Sequence, residues 1–125
     1  MKKEDIKTIE DIQKMVDAFY AKVREDQLIG PIFNEIIQDQ WPKHLEKMYR
    51  FWQTVLLNEH TYYGSPFGPH AKLPLNKTHF ERWLELFHQT VDDHFAGEKT
   101  EEVKWRSEKM AEMFAFKINY IQKNK

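Results

Sequence analysis

The 125-residue chain contains no cysteine. That excludes disulfides, thiolate nucleophiles, iron–sulfur clusters, c-type haem attachment and Cys-based zinc sites. Any metal must be held by His or carboxylate, or arrive inside a cofactor. No stretch approaches the roughly 20 apolar residues that a membrane-spanning helix needs. No apolar segment or small-residue cleavage site follows Met1-Lys2-Lys3-Glu4-Asp5, so a cytoplasmic protein without a membrane partner is expected. Charge of one sign is also missing: 19 basic and 20 acidic side chains leave a formal net charge of −1. They are spread along the chain, without the clustered Lys/Arg footprint of a nucleic-acid binder. Strand-like alternation, internal repeats and low-complexity tracts are absent too.

Rings are what the chain has in quantity. Aromatic residues make up 14 % of it, including four Trp, within a hydrophobic content of 41 % that is too high for intrinsic disorder. So much ring area suggests a core built around something large and flat, although bulky hydrophobic packing alone is the commoner explanation.

Spacing predicts helices separated by short breaks. Ile9, Ile12, Val16, Phe19, Tyr20 and Val23 recur at steps of one helical face, with Thr8 as cap and Asp11 three residues on. Leu28-Ile29-Gly30-Pro31-Ile32-Phe33 reads as a break followed by a short helix, Pro31 suiting a first turn. A third helix is expected from about Asp39 to Leu57, with Leu45, Met48, Trp52, Val55 and Leu56 on one face. A fourth opens with Thr78-x-x-Glu81 as capping box, carries Phe80, Trp83, Leu84, Phe87, Val91 and Phe95, and is stopped by Gly97. The last starts near Thr100 and turns Val103, Met110, Phe114, Ile118 and Ile121 inward. Between the third and fourth, Thr61–Asn76 holds two of the four Gly, three of the five Pro and His70. Loops of this length are usually functional or disordered, and its Tyr62, Tyr63, Phe67, Leu73 and Leu75 give it apolar surface to dock.

A helical domain without cysteine could hold a di-iron site, a haem, a partner helix or nothing. The paired Glu-x-x-His motifs of a di-iron bundle are absent, since only Glu85-x-x-His88 has that spacing. No two of the six histidines lie four apart, so no two-His zinc face exists. His60, His88 and His94 have ordinary surface readings. His44 continues an apolar face with Met48 and Trp52, and His70 sits in the aromatic loop. Tyr20 and Trp83 bring a phenol and an indole N–H onto inward stripes, where each needs an acceptor.

Taken in order, these residues resemble a known family. Phe19-Tyr20-x-x-Val23-Arg24 and Ile29-Gly30-Pro31-Ile32-Phe33 resemble the early helices of the truncated haemoglobins, and His44-x-x-x-Met48-x-x-Phe51-Trp52 their distal helix. Tyr63-x-Gly-x-Pro66-x-x-x-His70-x-x-Leu73-Pro74, followed by His79-Phe80-x-x-Trp83-Leu84-x-Leu86-Phe87, is similar to the third group of that family. The glycine pairs of the other two groups are absent.

The resemblance implies an all-α, shortened globin fold, a two-over-two helical sandwich around one haem, as a single domain over residues 1–125 of a bacterial protein. It implies haem b (iron protoporphyrin IX) as cofactor, with His70 as proximal iron ligand. Phe33 matches the Phe packed on the haem face, and Tyr20 and Trp83 match distal donors to the bound ligand. His44 matches the residue at the distal entrance, where it can swing as a gate. Met48 and Trp52 would line the pocket, and Lys47 would reach a propionate. Dioxygen, nitric oxide and carbon monoxide are the expected small ligands, and a monomer the expected state. The alternative is a haem enzyme, a nitric oxide dioxygenase or peroxidase-like catalyst, dependent on a separate reductase.

Overall fold

The structure, a computed structural model, describes residues 3–64, 73 and 75–123. Among these residues it contains five helices and no strand: α1 (Ile9–Glu25), α2 (Gly30–Ile37), α3 (Trp41–Leu57), α4 (Lys77–His94) and α5 (Glu98–Lys123). Helix α1 packs on α3 and α4 packs on α5, while α1–α4 and α3–α5 contacts join the two pairs. This is the expected two-over-two globin arrangement, with α2 braced against α1.

Helix α1 is fixed by its own sequence. Thr8 and Asp11 form the anticipated capping box, and Ile12, Met15, Val16, Phe19, Tyr20 and Val23 are all buried. Three- and four-residue spacing puts these side chains on one stripe, which meets Trp52 and Leu56 of α3 and Leu86, Phe87 and Val91 of α4 in a common core. The α1–α2 corner is tight. A Cβ on Gly30 would lie 2.9 Å from the Val23 carbonyl oxygen and 3.1 Å from that of Arg24, so only glycine lets α2 start so close to α1. The Asp26 carboxylate ties the corner down by accepting from the Leu28 and Ile29 N–H groups and pairing with Arg82 of α4.

Several boundaries differ from those expected. Helix α3 begins at Trp41 instead of Asp39, with Pro42 in its first turn. Helix α4 is capped by Asn76, not Thr78: its side chain accepts from the Thr78 and His79 N–H groups, and His79 Nδ1 accepts from the Asn76 N–H at 3.0 Å. Two box-like spacings overlap in this sequence, and the one two residues earlier is used. Glu81 instead faces Lys77 as a surface ion pair.

Helix α4 ends at His94, and Gly97 belongs to the start of α5, which begins at Glu98 and not near Thr100. Having no side chain, Gly97 cannot cap that helix. Asp5 does so from the other end of the chain, accepting from the Lys99 and Thr100 N–H groups and from the Thr100 hydroxyl, each at 2.8 Å. Gly97 has φ +142°, and a Cβ there would come within 2.5 Å of Asp5 Cγ. The inner face of α5 ends at Ile118, since Ile121 is exposed.

Candidate functional site

The five helices enclose a cavity of about 230 Å³ whose walls are mostly rings. Helix α1 supplies Tyr20, α2 Phe33, and α3 His44, Lys47, Met48 and Trp52; α4 adds Trp83 and Phe87, and α5 Met110 and Phe114. Seven of the eight site residues expected from sequence (Tyr20, Phe33, His44, Lys47, Met48, Trp52 and Trp83) therefore line one cavity. The eighth, His70, lies outside the described residues, together with Pro66 and Pro74 of its motif.

Ring packing holds the polar members in place. Tyr20 and Trp83 both pack edge-on against Phe19, with centroids 4.9 and 5.2 Å away. Trp83 stacks on Phe87 at 5.1 Å with the planes 6° apart, and Trp52 stacks on Phe87 at 5.5 Å. Such contacts fix orientation as well as burial. His44 meets the Tyr20 ring edge-to-face at 5.1 Å, and its Nε2 is buried.

Burial pushes the Tyr20 phenol well above its ordinary pKa, so the group remains a hydrogen-bond donor at physiological pH. Neither the Tyr20 hydroxyl nor the Trp83 indole N–H donates to another described residue, and both residues line the cavity. Two donors on the wall of a ring-lined space suit an acceptor carried by a guest. Lys47 sits exposed at the rim and makes no ion pair with a described residue. Among the described residues no three His or carboxylate side chains gather to hold a bare metal ion. The donor set fits a flat apolar cofactor that carries its own metal.

Sequence reading gave no site role to His79 or Tyr62, which also line the cavity. Tyr62 is steered there because its N–H and that of Thr61 both donate to the Thr54 hydroxyl, each at 3.0 Å. The signal for His79 was Asn76-x-x-His79, a cap residue with a partner three positions on.

The chain matches the bacterial-like globin family over residues 4–118. It is 36 % identical over 109 residues to a group 3 truncated haemoglobin of Campylobacter jejuni, covering 84 % of this chain and 86 % of that protein. It also resembles the crystal structure of a group III truncated haemoglobin from Campylobacter jejuni. There the TM-score is 0.86 at 33 % identity, over 94 % of this chain and 95 % of the other.

The chain belongs to the group III truncated haemoglobins. Membership in this globin family implies binding of haem and, through it, of small gaseous ligands such as dioxygen. Among the described residues of this globin, no helix is long and apolar enough to cross a membrane.

Proposed function

We propose that this globin, a single domain over residues 1–125, binds haem b in the ring-walled cavity and retains dioxygen or nitric oxide there through Tyr20 and Trp83. The observation that carries the reading is that two donors, phenol and indole, line one apolar cavity and neither donates to another described residue. When bound, haem would supply an iron able to take a small diatomic ligand. His70 would hold the iron through a neutral imidazole nitrogen, and its other ring nitrogen would donate to an acceptor that fixes the tautomer.

The remaining work falls to the chain's own side chains. Phe33, Met48 and Trp52 exclude water, which strengthens every hydrogen bond made inside. Tyr20 and Trp83 donate into that dry space and favour a ligand with partial negative charge, so dioxygen gains more than carbon monoxide. His44, beside Tyr20 near the start of α3, stands where an imidazole can turn inward or toward solvent. Lys47 at the rim supplies a cation for a propionate.

Donors this well fixed favour slow dioxygen release. They therefore support a second reading in which the retained ligand reacts, as in a nitric oxide dioxygenase or peroxidase-like catalyst served by a separate reductase. The absorption spectrum of the purified protein tests the proposal. A strong Soret band that shifts with carbon monoxide and with dioxygen is expected, and colourless protein that does not take up added haem overturns it.

A further inference from the structure

Behind the cavity wall, Trp41 touches both polar residues on its distal side. Its ring lies 5.7 Å from that of Tyr20 at 61° and 5.8 Å from that of His44 at 89°, while Tyr20 and His44 meet at 5.1 Å and 85°. The three rings close a triangle of edge-to-face contacts. Trp41 is buried, 5 % exposed, yet does not itself line the cavity. The Arg24 guanidinium lies 4.6 Å over the Trp41 ring, a cation–π contact.

Helical phase makes this a two-by-two arrangement. Tyr20 and Arg24 are four apart on α1, and Trp41 and His44 are three apart on α3, so each pair shares a helix face. Pro42 and the His44 N–H bond to the Gln40 carbonyl, at 2.9 Å, fix the first turn of α3 from which Trp41 projects. A hydrogen bond weakens steeply once its donor is misaligned. Whatever sets the tilt of the Tyr20 ring and the swing of His44 therefore sets how well they serve a ligand.

We infer that Trp41, clamped by Arg24, is a positioning residue that holds Tyr20 and His44 in their ligand-facing arrangement. The inference rests on the reading of Tyr20 as a distal donor. It is tested on the haem-loaded protein by the infrared C–O stretching bands of the carbon monoxide complex, which report the field at the ligand, and by dioxygen release. Tyr20→Phe sets the reference for a lost donor.

With Trp41→Leu, the bands and the release rate should move toward those of Tyr20→Phe while haem content is retained. Trp41→Phe, which keeps a ring, should fall between Trp41→Leu and the parent. A merely structural Trp41 would lower the melting temperature of the haem-free chain and leave the bands where they were. Unchanged bands in folded Trp41→Leu overturn the inference. If that variant does not take up haem, unchanged bands in Trp41→Phe do so. If Tyr20→Phe itself leaves the bands and the release rate unchanged, the distal reading fails, and this inference with it.

Discussion

Asp5 and Thr100 are joined by two hydrogen bonds, to the backbone N–H and to the hydroxyl, across 95 residues of sequence. The segment before α1 is thereby pinned to the start of α5, and the Ala96 N–H bond to the Glu4 carbonyl, at 3.0 Å, seals the same seam. Burial alone would raise the Asp5 pKa, but the hydrogen bonds from Lys99, Thr100 and Ile6 together hold it below the ordinary carboxylate value.

Asp5→Ala removes this cap. Losing a helix N-cap costs about 0.5–2 kcal/mol, which should lower the melting temperature by several degrees at neutral pH. A folded-state pKa below the unfolded one gives stability that is fully present above the unfolded value near ~3.9 and is lost as pH falls through the folded value. The gap between parent and Asp5→Ala should therefore close as pH drops below about 4. Thermal melts across a pH series check this. A gap that persists undiminished in acid would assign the loss to packing instead of to the carboxylate.

Asp5 also marks where the sequence stopped being readable. The face of α1 was legible because its apolar stripe, cap and box all lie within seventeen helical residues and their flank. The α4–α5 boundary was not, because the group that caps α5 comes from the far end of the chain and lets a glycine sit where a Ser or Asp would ordinarily signal a helix start. The same holds at α4, where two candidate boxes overlap and only folding chooses Asn76 with His79. In the site, the seven expected residues that line the cavity were visible through the family pattern. Trp41 was not, because nothing in its spacing distinguishes a ring behind the wall from one that lines it.

Gly30→Ala sets two effects against each other. Alanine is the better helix former by about 1 kcal/mol, yet its Cβ would lie 2.9 Å from the Val23 carbonyl oxygen. Backbone cannot yield as a flexible side chain would, and overpacking of this kind costs about 1–3 kcal/mol. The collision should win, lowering the urea midpoint. A variant as stable as the parent would show that the α1–α2 corner relaxes.

His70 and His44 should separate cleanly. If His70 is the proximal ligand, His70→Ala purifies with little haem, and added haem binds weakly with altered spectra. His44→Leu should retain haem and change the carbon monoxide association rate more than the dioxygen release rate. Stoichiometric haem with unchanged ligation in His70→Ala would remove His70 from the iron. A His44→Leu variant that speeds only dioxygen release would make His44 a donor instead of a gate.

Tyr20 and Trp83 carry the reading of the pocket, and their test separates donors from structural rings. A hydrogen bond to a charged acceptor is worth about 1.5–3 kcal/mol, and ~1.4 kcal/mol is tenfold in a rate. Losing one donor should speed dioxygen release by roughly ten- to a hundredfold. Tyr20→Phe removes only a hydroxyl and leaves the contacts with Phe19, Phe33 and His44 available. Trp83→Phe also trims the stack on Phe87, so its effect mixes polarity with a cavity. Both residues lean on Phe19, and if both donate to one ligand the double variant should depart from additivity, because groups sharing a partner couple. Carbon monoxide accepts hydrogen bonds weakly, so its release should change far less. Stopped-flow release of both gases from the parent, the two single variants and the double variant decides the matter. Equal acceleration for both gases would mean that the substitutions only loosen the pocket, and the donor roles would then be withdrawn.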